Sequence, residues 1–473
     1  MSRGLSISHT GLILAVLLIG LAGLSLGFPY GAAVADMPLG AYISIALIAG
    51  AVWAALPFIL GREVSKRPAM LTIFLIGLLM RGAMFVSLPV LEDDSYRYLW
   101  DGAVTARGLD PYAHAPAAVS PNTQLSATAE APSGSDLAVL QTLAIQHETP
   151  HSRINYPYVS TIYPPLAQAA FAVAHVIDPF GLTGWRLVLL AADLATMGLL
   201  LLLLRAHGRD SVWASVYWWN PVVILQGFGA GHMDLLLLPF LMATLLFAKQ
   251  NKISMATVAL AGATAIKLWP AILFPLIARP LLRRPTALIG GSVLFAAIVF
   301  FALLPQLIHA LRPEAGLNAY ASEWRTHTFI FAILEDFVFA PFADPGGLAR
   351  VTVAGLIILL TSALALFYAD NSDLMPALFA GVVSALILLS PTGYPWYLIW
   401  LAPLLAFVPN LGLVSLFVLA PLYWMRFQLG DDSTLYQWLV VPAAFGVPLL
   451  LLAQSTLNWR RDDAFRHHYP SPQ

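Results

Sequence analysis

The chain contains no cysteine and very little charge. Only 10% of its 473 residues are Asp, Glu, Lys or Arg, and just four are lysines, whereas soluble proteins contain about 25% charged residues. The absence of cysteine excludes disulfides and thiolate metal sites. The formal net charge of −1 argues against nucleic acid as a main partner.

The chain is rich in apolar residues where soluble proteins have charged ones. The chain is 59% hydrophobic with a mean hydropathy of +0.77, which predicts an all-α polytopic membrane protein. Long apolar runs lie near 11–28, 41–60, 69–90, 185–204, 286–304, 347–368, 374–390 and 434–455. Shorter runs lie near 163–177, 212–228, 234–248, 253–267, 269–282, 396–408 and 411–427. We expect about 12–14 membrane segments, with broken or half-length helices among the short ones.

The N-terminal run has the general pattern of a signal peptide, because Arg3 precedes an apolar stretch that starts at Gly11. No convincing cleavage site follows it, and further apolar runs come after it. We therefore expect a retained first helix.

Polar sequence is concentrated in one long loop after the third apolar run. It divides the chain into N-terminal membrane helices (1–90), a loop with juxtamembrane helices (91–162) and a membrane helix bundle (163–473). Long loops in compact proteins are usually functional or disordered. Tyr, Trp and Pro throughout this loop predict that part of it folds, while the stretch 117–137 is expected to be mobile.

Basic residues predict the orientation of the spans through the positive-inside rule. The rule places the following residues in the cytoplasm: Arg62, Lys66, Arg67, Arg205, Arg209, Lys249, Lys252, Arg279, Arg283, Arg284, Arg460, Arg461 and Arg466. The acidic loop 91–160 then faces outward, with the segments near 305–327, 391–396 and 428–433. This topology requires that 163–177 is a juxtamembrane or re-entrant helix. We expect a multi-pass protein of the inner (plasma) membrane with its site on the periplasmic side.

Two adjacent carboxylates, Asp93 and Asp94, follow the third apolar run. Carboxylates at the mouth of a span are costly unless they are used. Two that lie close together cannot both ionise freely, so one can have a raised pKa and act as a base. If a helix follows, Asp94, Arg97, Tyr98 and Asp101 share one face. That spacing fits catalysis and a surface Asp–Arg–Asp network about equally well; we favour a catalytic site.

Lys267 differs from the other three lysines because it lies between two short apolar runs, in A-I-K-L-W-P. A cation at membrane depth faces a cavity, a partner or a lipid phosphate, although it can also extend to the interface. We favour a functional role.

His232 and Asp234 lie two residues apart in G-A-G-H-M-D, at a predicted outer end. Such a pair can orient a proton carrier or bind a metal. Two ligands are a weak case for a metal, and the alternative is a buried His beside a helix-capping Asp.

Aromatic turns supply further candidates. Tyr112 lies in G-L-D-P-Y, Tyr163 in T-I-Y-P-P-L, and Trp396 and Tyr397 in P-T-G-Y-P-W-Y. Singly they fit turns and an interfacial aromatic belt. The segments 323–327 and 390–397 also have the composition to line a sugar or head-group pocket. Contact with an anionic head group is one interpretation of Arg153 and His151, while a solvated residue is the favoured one when each is taken singly.

Taken in order from residue 90 to 400, these motifs resemble a known family. The motifs D-D-S-Y-R-Y-L-W-D-G, G-L-D-P-Y, N-Y-P, T-I-Y-P-P-L, W-N-P, G-H-M-D, I-K-L-W-P and P-W-Y look like the bacterial polyprenyl-phosphate-dependent mannosyltransferases of the GT-C superfamily. They are more distantly similar to the mannosyltransferases of glycosylphosphatidylinositol synthesis. The resemblance implies a GT-C multi-helix bundle in which an acidic residue of an early extracytoplasmic loop is the catalytic base. Asp94 fits that role, and Asp93 is the competing candidate. Here the carboxylates follow the third span, whereas many relatives place them after the first.

The resemblance also implies the reaction. A hexose, with mannose as first choice, is transferred with inversion from a polyprenyl phosphate to an extracytoplasmic lipid or glycan acceptor. The donor phosphate is then held by Lys267, Arg97, Arg153 or His232, and substrate by Asp101, Tyr112, Tyr163, Asp234, Trp396 and Tyr397. No Gly-rich phosphate loop or soluble nucleotide domain is evident, in agreement with a lipid-linked donor. We expect no cofactor, with a divalent metal as the weaker alternative, and as partners only the donor, the acceptor and membrane lipids.

Two other classes fit the composition. A lipid-linked sugar flippase or transporter also has broken helices and intramembrane charges, and a non-catalytic subunit of envelope assembly is the third possibility. No inverted repeat is visible, and a long acidic outer loop is more natural for an enzyme.

Overall fold

The protein is all-helical in the part that the structure, a computed structural model, describes: residues 6–61, 69–120, 135–310, 315–431 and 433–459. No β-strand occurs within these ranges, apart from an isolated bridge between Thr326 and Thr392. The all-α prediction is confirmed. Most of the stretch predicted to be mobile lies outside the described residues, as do Arg62, Lys66, Arg67, Arg460, Arg461 and Arg466.

Within the described ranges, seven helices are long and apolar enough to cross a membrane: Ile7–Ser25, Leu39–Leu60, Leu182–Ala206, Pro285–His309, Pro345–Tyr368, Leu411–Leu429 and Tyr436–Ser455. One further pair of apolar helices, Val223–Gly229 and Met233–Lys249, meets at 108° and forms either a broken crossing or a re-entrant loop. The shorter apolar helices are Met70–Met84, Pro165–Ile177, Ile253–Thr264, Trp269–Leu281 and Met375–Leu389. The chain is thus a multi-pass membrane protein with broken and short helices, as predicted.

Helix lengths differ from the sequence prediction in three places. The run 374–390, predicted to be long enough for a span, forms only the 15-residue helix Met375–Leu389. The third apolar run, predicted over 69–90, is helical only over Met70–Met84, and Pro89 follows, a residue without a backbone N–H. The run 411–427, predicted to be short, continues to Leu429 and is long enough to cross. Pro165–Ile177 has 13 residues, about 20 Å of helix, which is too short for a crossing, as the predicted topology requires.

The long loop folds in part, as predicted. It contains the helices Asp94–Ala106, Asp136–Gln146 and Glu148–Ser152 and the 3₁₀ turn Pro116–Val119. A small apolar core under these helices is built from Trp100, Val104, Leu140, Leu143 and Ile154. Short segments elsewhere are Val34–Asp36, Ser211–Trp213, Ala214–Trp218, Gly316–Glu323, Ile330–Ile333, Leu334–Val338, Pro395–Trp400 and Ala402–Ala406.

The helix Asp94–Ala106 is fixed against Pro165–Ile177. Gly102 permits the close approach, because a Cβ at this position would lie 2.3 Å from the backbone oxygen of Phe171. Asp101 accepts hydrogen bonds from Arg97 Nε at 3.0 Å and from Gln168 Nε2 at 3.1 Å. These contacts direct the N-terminus of the helix, with Asp94, toward the membrane bundle.

The break between Val223–Gly229 and Met233–Lys249 is stabilised by a buried arginine. Irregular backbone at membrane depth leaves carbonyl groups that need donors. Arg186, on Leu182–Ala206, donates from Nε to the Phe228 carbonyl at 2.8 Å and from Nη2 to the Gly229 carbonyl at 2.9 Å. The sequence prediction did not single out this arginine.

A glycine turn completes the break. Gly231 has a φ of +77°, in the left-handed region that favours glycine, and its carbonyl accepts a hydrogen bond from Trp185 Nε1 at 2.6 Å. The turn places His232 and Asp234 inside the protein, beside the N-terminus of the helix that begins at Asp94.

A second buried charge cluster lies away from this turn. Arg81 forms an ion pair with Asp193, and both side chains are fully buried. Tyr217 donates its hydroxyl to Asp193, and the Arg81 guanidinium lies 3.5 Å from the Trp218 ring centroid. This cluster joins Met70–Met84 to Leu182–Ala206.

Candidate active site

A cavity of about 1030 Å³ lies between the folded loop and the membrane helices. Its walls come from 91–98, 155–164, 234, 267–269, 317–326, 386–400 and 423–431. These stretches include every segment that the topology prediction placed on the outer side. Ligand pockets for drug-sized molecules have volumes of roughly 300–1000 Å³, so this cavity has room for more than one sugar ring.

Asp94 is the best-placed carboxylate for a general base. It begins the helix at the cavity wall, and its side chain is 23% exposed. Asn155 Nδ2 donates to Asp94 Oδ1 at 3.3 Å. Desolvation by burial raises the pKa of Asp94 to about 6, against the opposing effects of the Asn155 hydrogen bond and the Lys267 charge. A carboxylate with this pKa is largely ionised at neutral pH and still basic enough to accept a proton.

Asp93 is engaged by an arginine. Arg153 donates to Asp93 Oδ1 from Nε at 3.1 Å and from Nη2 at 2.5 Å. The same guanidinium lies 3.9 Å from the Tyr96 ring centroid. Burial raises the pKa of Asp93, and Arg153 opposes the shift. Asp93 and Arg153 therefore neutralise each other, which leaves Asp94 as the freer carboxylate.

Glu92 is a cavity residue that the sequence prediction did not select. Burial raises the pKa of Glu92 well above its usual range, and the charges of Asp94 and Asp93 raise it further. A protonated Glu92 relieves repulsion among the three adjacent acids. The sequence signal for Glu92 was its place in the run L-E-D-D, next to Asp93 and Asp94. The sequence prediction counted Glu92 only as part of the acidic loop.

Lys267 lines the same cavity, next to Asp234. Its Nζ donates to Asp234 Oδ1 at 2.7 Å and lies 4.8 Å from the ring centroids of Tyr397 and Trp400. Asp234 is 1% exposed and also accepts from Trp400 Nε1 at 2.5 Å. Asp234 thus fixes the lysine, whose side chain is 23% exposed and lines the cavity.

His232 lies behind the cavity wall. Its ring is fully buried and stacks on Trp396 with centroids 3.9 Å apart. His232 Nδ1 is 3.8 Å from Asp94 Oδ2, beyond hydrogen-bond distance. Neither ring nitrogen has a hydrogen-bond partner among the described residues. The histidine therefore faces Asp94, not open cavity space.

The structure divides the predicted site residues into two groups. The cavity is lined by Asp93, Asp94, Tyr163, Asp234, Lys267, Trp396 and Tyr397. The other predicted residues support it from behind: Arg97, Asp101, Tyr112, Arg153 and His232. Arg97 donates from Nε to Asp101 and from Nη1 to the Val159 carbonyl, and the Tyr112 hydroxyl donates to the Tyr163 carbonyl at 2.8 Å.

Arg426, which also lines the cavity, was missed by the sequence prediction. Arg426 Nη1 donates to Thr326 Oγ1 at 3.0 Å and to the Tyr423 hydroxyl at 2.9 Å. Arg426 also pairs with Asp431. Its position in a largely apolar stretch gave one weak signal, an isolated charge within a membrane segment.

No metal-binding cluster of three or more His, Asp or Glu side chains is found in the ranges that the structure describes. Asp93 is bound to Arg153 and Asp234 to Lys267. The expectation that the protein works without a cofactor stays a prediction.

The chain is similar to known mannosyltransferases. A family model described as "Alpha-(1->6)-mannopyranosyltransferase, N-terminal domain" matches residues 157–283, a range that includes Tyr163, His232, Asp234 and Lys267. The chain is also 24% identical over 382 residues to alpha-(1->6)-mannopyranosyltransferase A of Mycobacterium tuberculosis. That match covers 76% of this chain and 66% of the relative, just under two thirds of its length. The resemblance to GT-C mannosyltransferases that the motifs indicated is confirmed.

Proposed function

We propose that this protein is an integral membrane glycosyltransferase of GT-C type. It transfers a hexose, with mannose as first choice, from a polyprenyl phosphate to a hydroxyl group of a lipid or glycan acceptor. The observation that carries the proposal is the placement of Asp94 and Lys267 on the walls of one cavity. The similarity to mannosyltransferases supports the choice of sugar.

Asp94 acts as the general base. The acceptor hydroxyl forms a bond to the anomeric carbon of the donor sugar and gives its proton to the Asp94 carboxylate. Because attack comes from the face opposite the phosphate, a single displacement inverts the anomeric centre. Asn155 holds the carboxylate in place through its 3.3 Å hydrogen bond to Oδ1.

Lys267 stabilises the leaving group. The bond between the anomeric carbon and the phosphate oxygen breaks, and the electron pair leaves with the polyprenyl phosphate. No general acid is required for such a leaving group, but the negative charge needs a fixed positive partner. The aromatic rings of Tyr397 and Trp400 and the carboxylate of Asp234 hold the Lys267 ammonium in place.

The site faces the extracytoplasmic side in this proposal. The acidic loop and the other cavity segments carry few basic residues. Two basic residues of the predicted cytoplasmic loops form ion pairs away from the cavity, Lys249 with Asp373 and Arg279 with Asp370. The positive-inside rule assigns both basic residues to the cytoplasm.

The test is sugar transfer by the purified full-length protein. It is supplied with labelled polyprenyl-phosphate mannose and a lipid extract of its source membrane, and labelled products are identified by mass. Transfer is expected with and without EDTA, since no metal enters the proposed step. Dependence on added metal would overturn the cofactor-free form of the proposal.

Two variants make the test specific. Asp94→Asn is expected to lower the transfer rate by about 10²–10⁴-fold, the usual contribution of a positioned base. Asp136→Asn, an exposed residue of the same loop, is the matched control and should leave the rate unchanged. If no polyprenyl-phosphate sugar is transferred, the flippase interpretation gains weight and a liposome transport assay decides it.

A further inference from the structure

Two aromatic side chains from distant parts of the chain meet at the cavity. The rings of Tyr156, in the loop, and Trp324, just after Gly316–Glu323, have centroids 4.3 Å apart and an interplanar angle of 32°. Both residues line the cavity. Tyr156 nevertheless remains 53% exposed, so much of its surface is available to a ligand.

Tyr156 is held in an unfavourable backbone conformation. Its φ is +51°, a left-handed value that is uncommon for residues other than glycine, asparagine and aspartate. Strained residues of this kind persist where the surrounding structure fixes them, and they cluster at binding and catalytic sites. Here the next residue is fixed, because the Pro157 carbonyl accepts from Ala117 N at 2.8 Å.

The aromatic pair lies beside the proposed base. Asn155, the residue before Tyr156, donates to Asp94. On its other side, Trp324 contacts Tyr320 edge-on at 5.0 Å, and the Tyr320 hydroxyl lies 2.7 Å from the Tyr397 hydroxyl. A ligand on the Tyr156–Trp324 pair is therefore next to the reacting centre and not within it.

We propose that Tyr156 and Trp324 form a subsite for a second hexopyranose ring of the acceptor, the ring next to the sugar whose hydroxyl Asp94 deprotonates. This inference rests on the proposed function. A pyranose has C–H groups that pack on flat aromatic faces, and hydroxyl groups that need polar partners at the edge. Asn155, Glu323 and Arg325 line the cavity beside the pair and supply such partners.

The charges around the pair favour a neutral sugar over an anionic head group. Arg325 is bound to Glu335 at 2.8 Å and to Asp336, so its charge is already balanced. Glu323 adds a carboxyl group to the same part of the wall. The cavity volume of about 1030 Å³ leaves room for this ring beyond the donor sugar.

An interfacial anchor is the alternative role for an exposed tyrosine. Tyr158 provides the comparison, because it lies two residues away, is 77% exposed and does not line the cavity. A membrane-anchoring role predicts similar effects at both tyrosines, whereas a subsite predicts an effect at Tyr156 alone.

The experiment compares two acceptors, octyl mannoside and octyl dimannoside, with the full-length protein and a polyprenyl-phosphate mannose donor. Tyr156→Asn removes the ring, and asparagine tolerates the left-handed backbone, so the variant should fold. The preference for the dimannoside, measured as the ratio of kcat/KM values, is expected to fall about tenfold or more, mainly through KM. Trp324→Ala should lower the ratio in the same way, and Tyr158→Asn should leave it unchanged.

Binding without donor separates this inference from the proposed function. Saturation-transfer NMR should show contact between octyl dimannoside and the wild-type protein, and Tyr156→Asn should weaken it. Asp94→Asn blocks turnover but should keep this contact. The subsite is overturned if Tyr156→Asn leaves the ratio of kcat/KM values unchanged, which includes an equal loss of kcat/KM on both acceptors. It is also overturned if Tyr156→Asn leaves dimannoside binding unchanged. Either result counts against the subsite even if transfer itself is established.

Discussion

His232 Nδ1 lies 3.8 Å from Asp94 Oδ2, and the imidazole ring is fully buried against Trp396. A buried ring whose two nitrogens lack protein partners among the described residues is costly. A small inward movement of the Asp94 carboxylate, or a bridging water, would satisfy one of them. The arrangement therefore favours His232 as a positioning residue for the base, in place of the donor-phosphate role that the family resemblance implied.

His232→Phe tests this positioning role. Phenylalanine keeps the stacking on Trp396 but has no N–H group to stabilise the Asp94 carboxylate. We expect the acid limb of the kcat/KM profile to move up by about half to one pH unit, since one pKa unit corresponds to about 1.4 kcal/mol. His232→Asn retains a donor and should move the limb less. A uniform loss at every pH would indicate a purely structural role for the ring.

The wild-type pH profile follows from Asp94. Burial raises its pKa to about 6, and the carboxylate is the active form of a general base. The rate should therefore be full above that value and fall about tenfold per pH unit below it. Steady-state transfer rates between pH 4.5 and 8 measure the limb. A limb centred near pH 4, the ordinary value for Asp, would show that the base is exposed or is a different residue.

Sequence reasoning found the residues whose charge is unusual for their place in the chain. Asp94 and Lys267 were singled out because charges at the ends of apolar runs are rare and costly. Trp400 and Arg186 were missed for a physical reason. Their roles depend on contacts between segments far apart in sequence, such as Trp400 with Asp234, which local spacing does not reveal.

Helix spacing predicted the shared face of Asp94, Arg97, Tyr98 and Asp101 but not what each side chain would bind. Arg97 and Asp101 pair with each other along the helix, while Asp94 and Tyr98 line the cavity. The prediction of helix structure from sequence was limited in a similar way. Hydropathy separates the apolar runs 212–228 and 234–248, but it does not show the Arg186 hydrogen bonds to the Phe228 and Gly229 carbonyl groups that hold the break.

Lys267→Met separates the catalytic role of the lysine from its structural one. Removing the ammonium leaves the buried Asp234 unpaired, which should destabilise the protein by about 3–5 kcal/mol and lower the transfer rate by about 10²–10³-fold. The double variant Lys267→Met, Asp234→Asn should recover much of the thermal stability but not the rate. Lys249→Met, which breaks an exposed pair with Asp373, is the control and should cost about 1 kcal/mol or less.

Asp193→Asn tests whether the buried Arg81–Asp193 pair serves catalysis or only stability. Intramembrane ionisable residues usually mark functional sites, but neither residue lines the cavity, and Tyr217 and Trp218 enclose the pair. Asp193→Asn leaves the Arg81 guanidinium buried and uncompensated, so we expect a loss of about 3–5 kcal/mol in stability. The folded fraction should keep its kcat/KM within about a factor of two, measured below the lowered unfolding temperature. A large loss of kcat/KM in fully folded Asp193→Asn would instead place this pair in the catalytic pathway, and the separation between a structural and a catalytic charge cluster would fail.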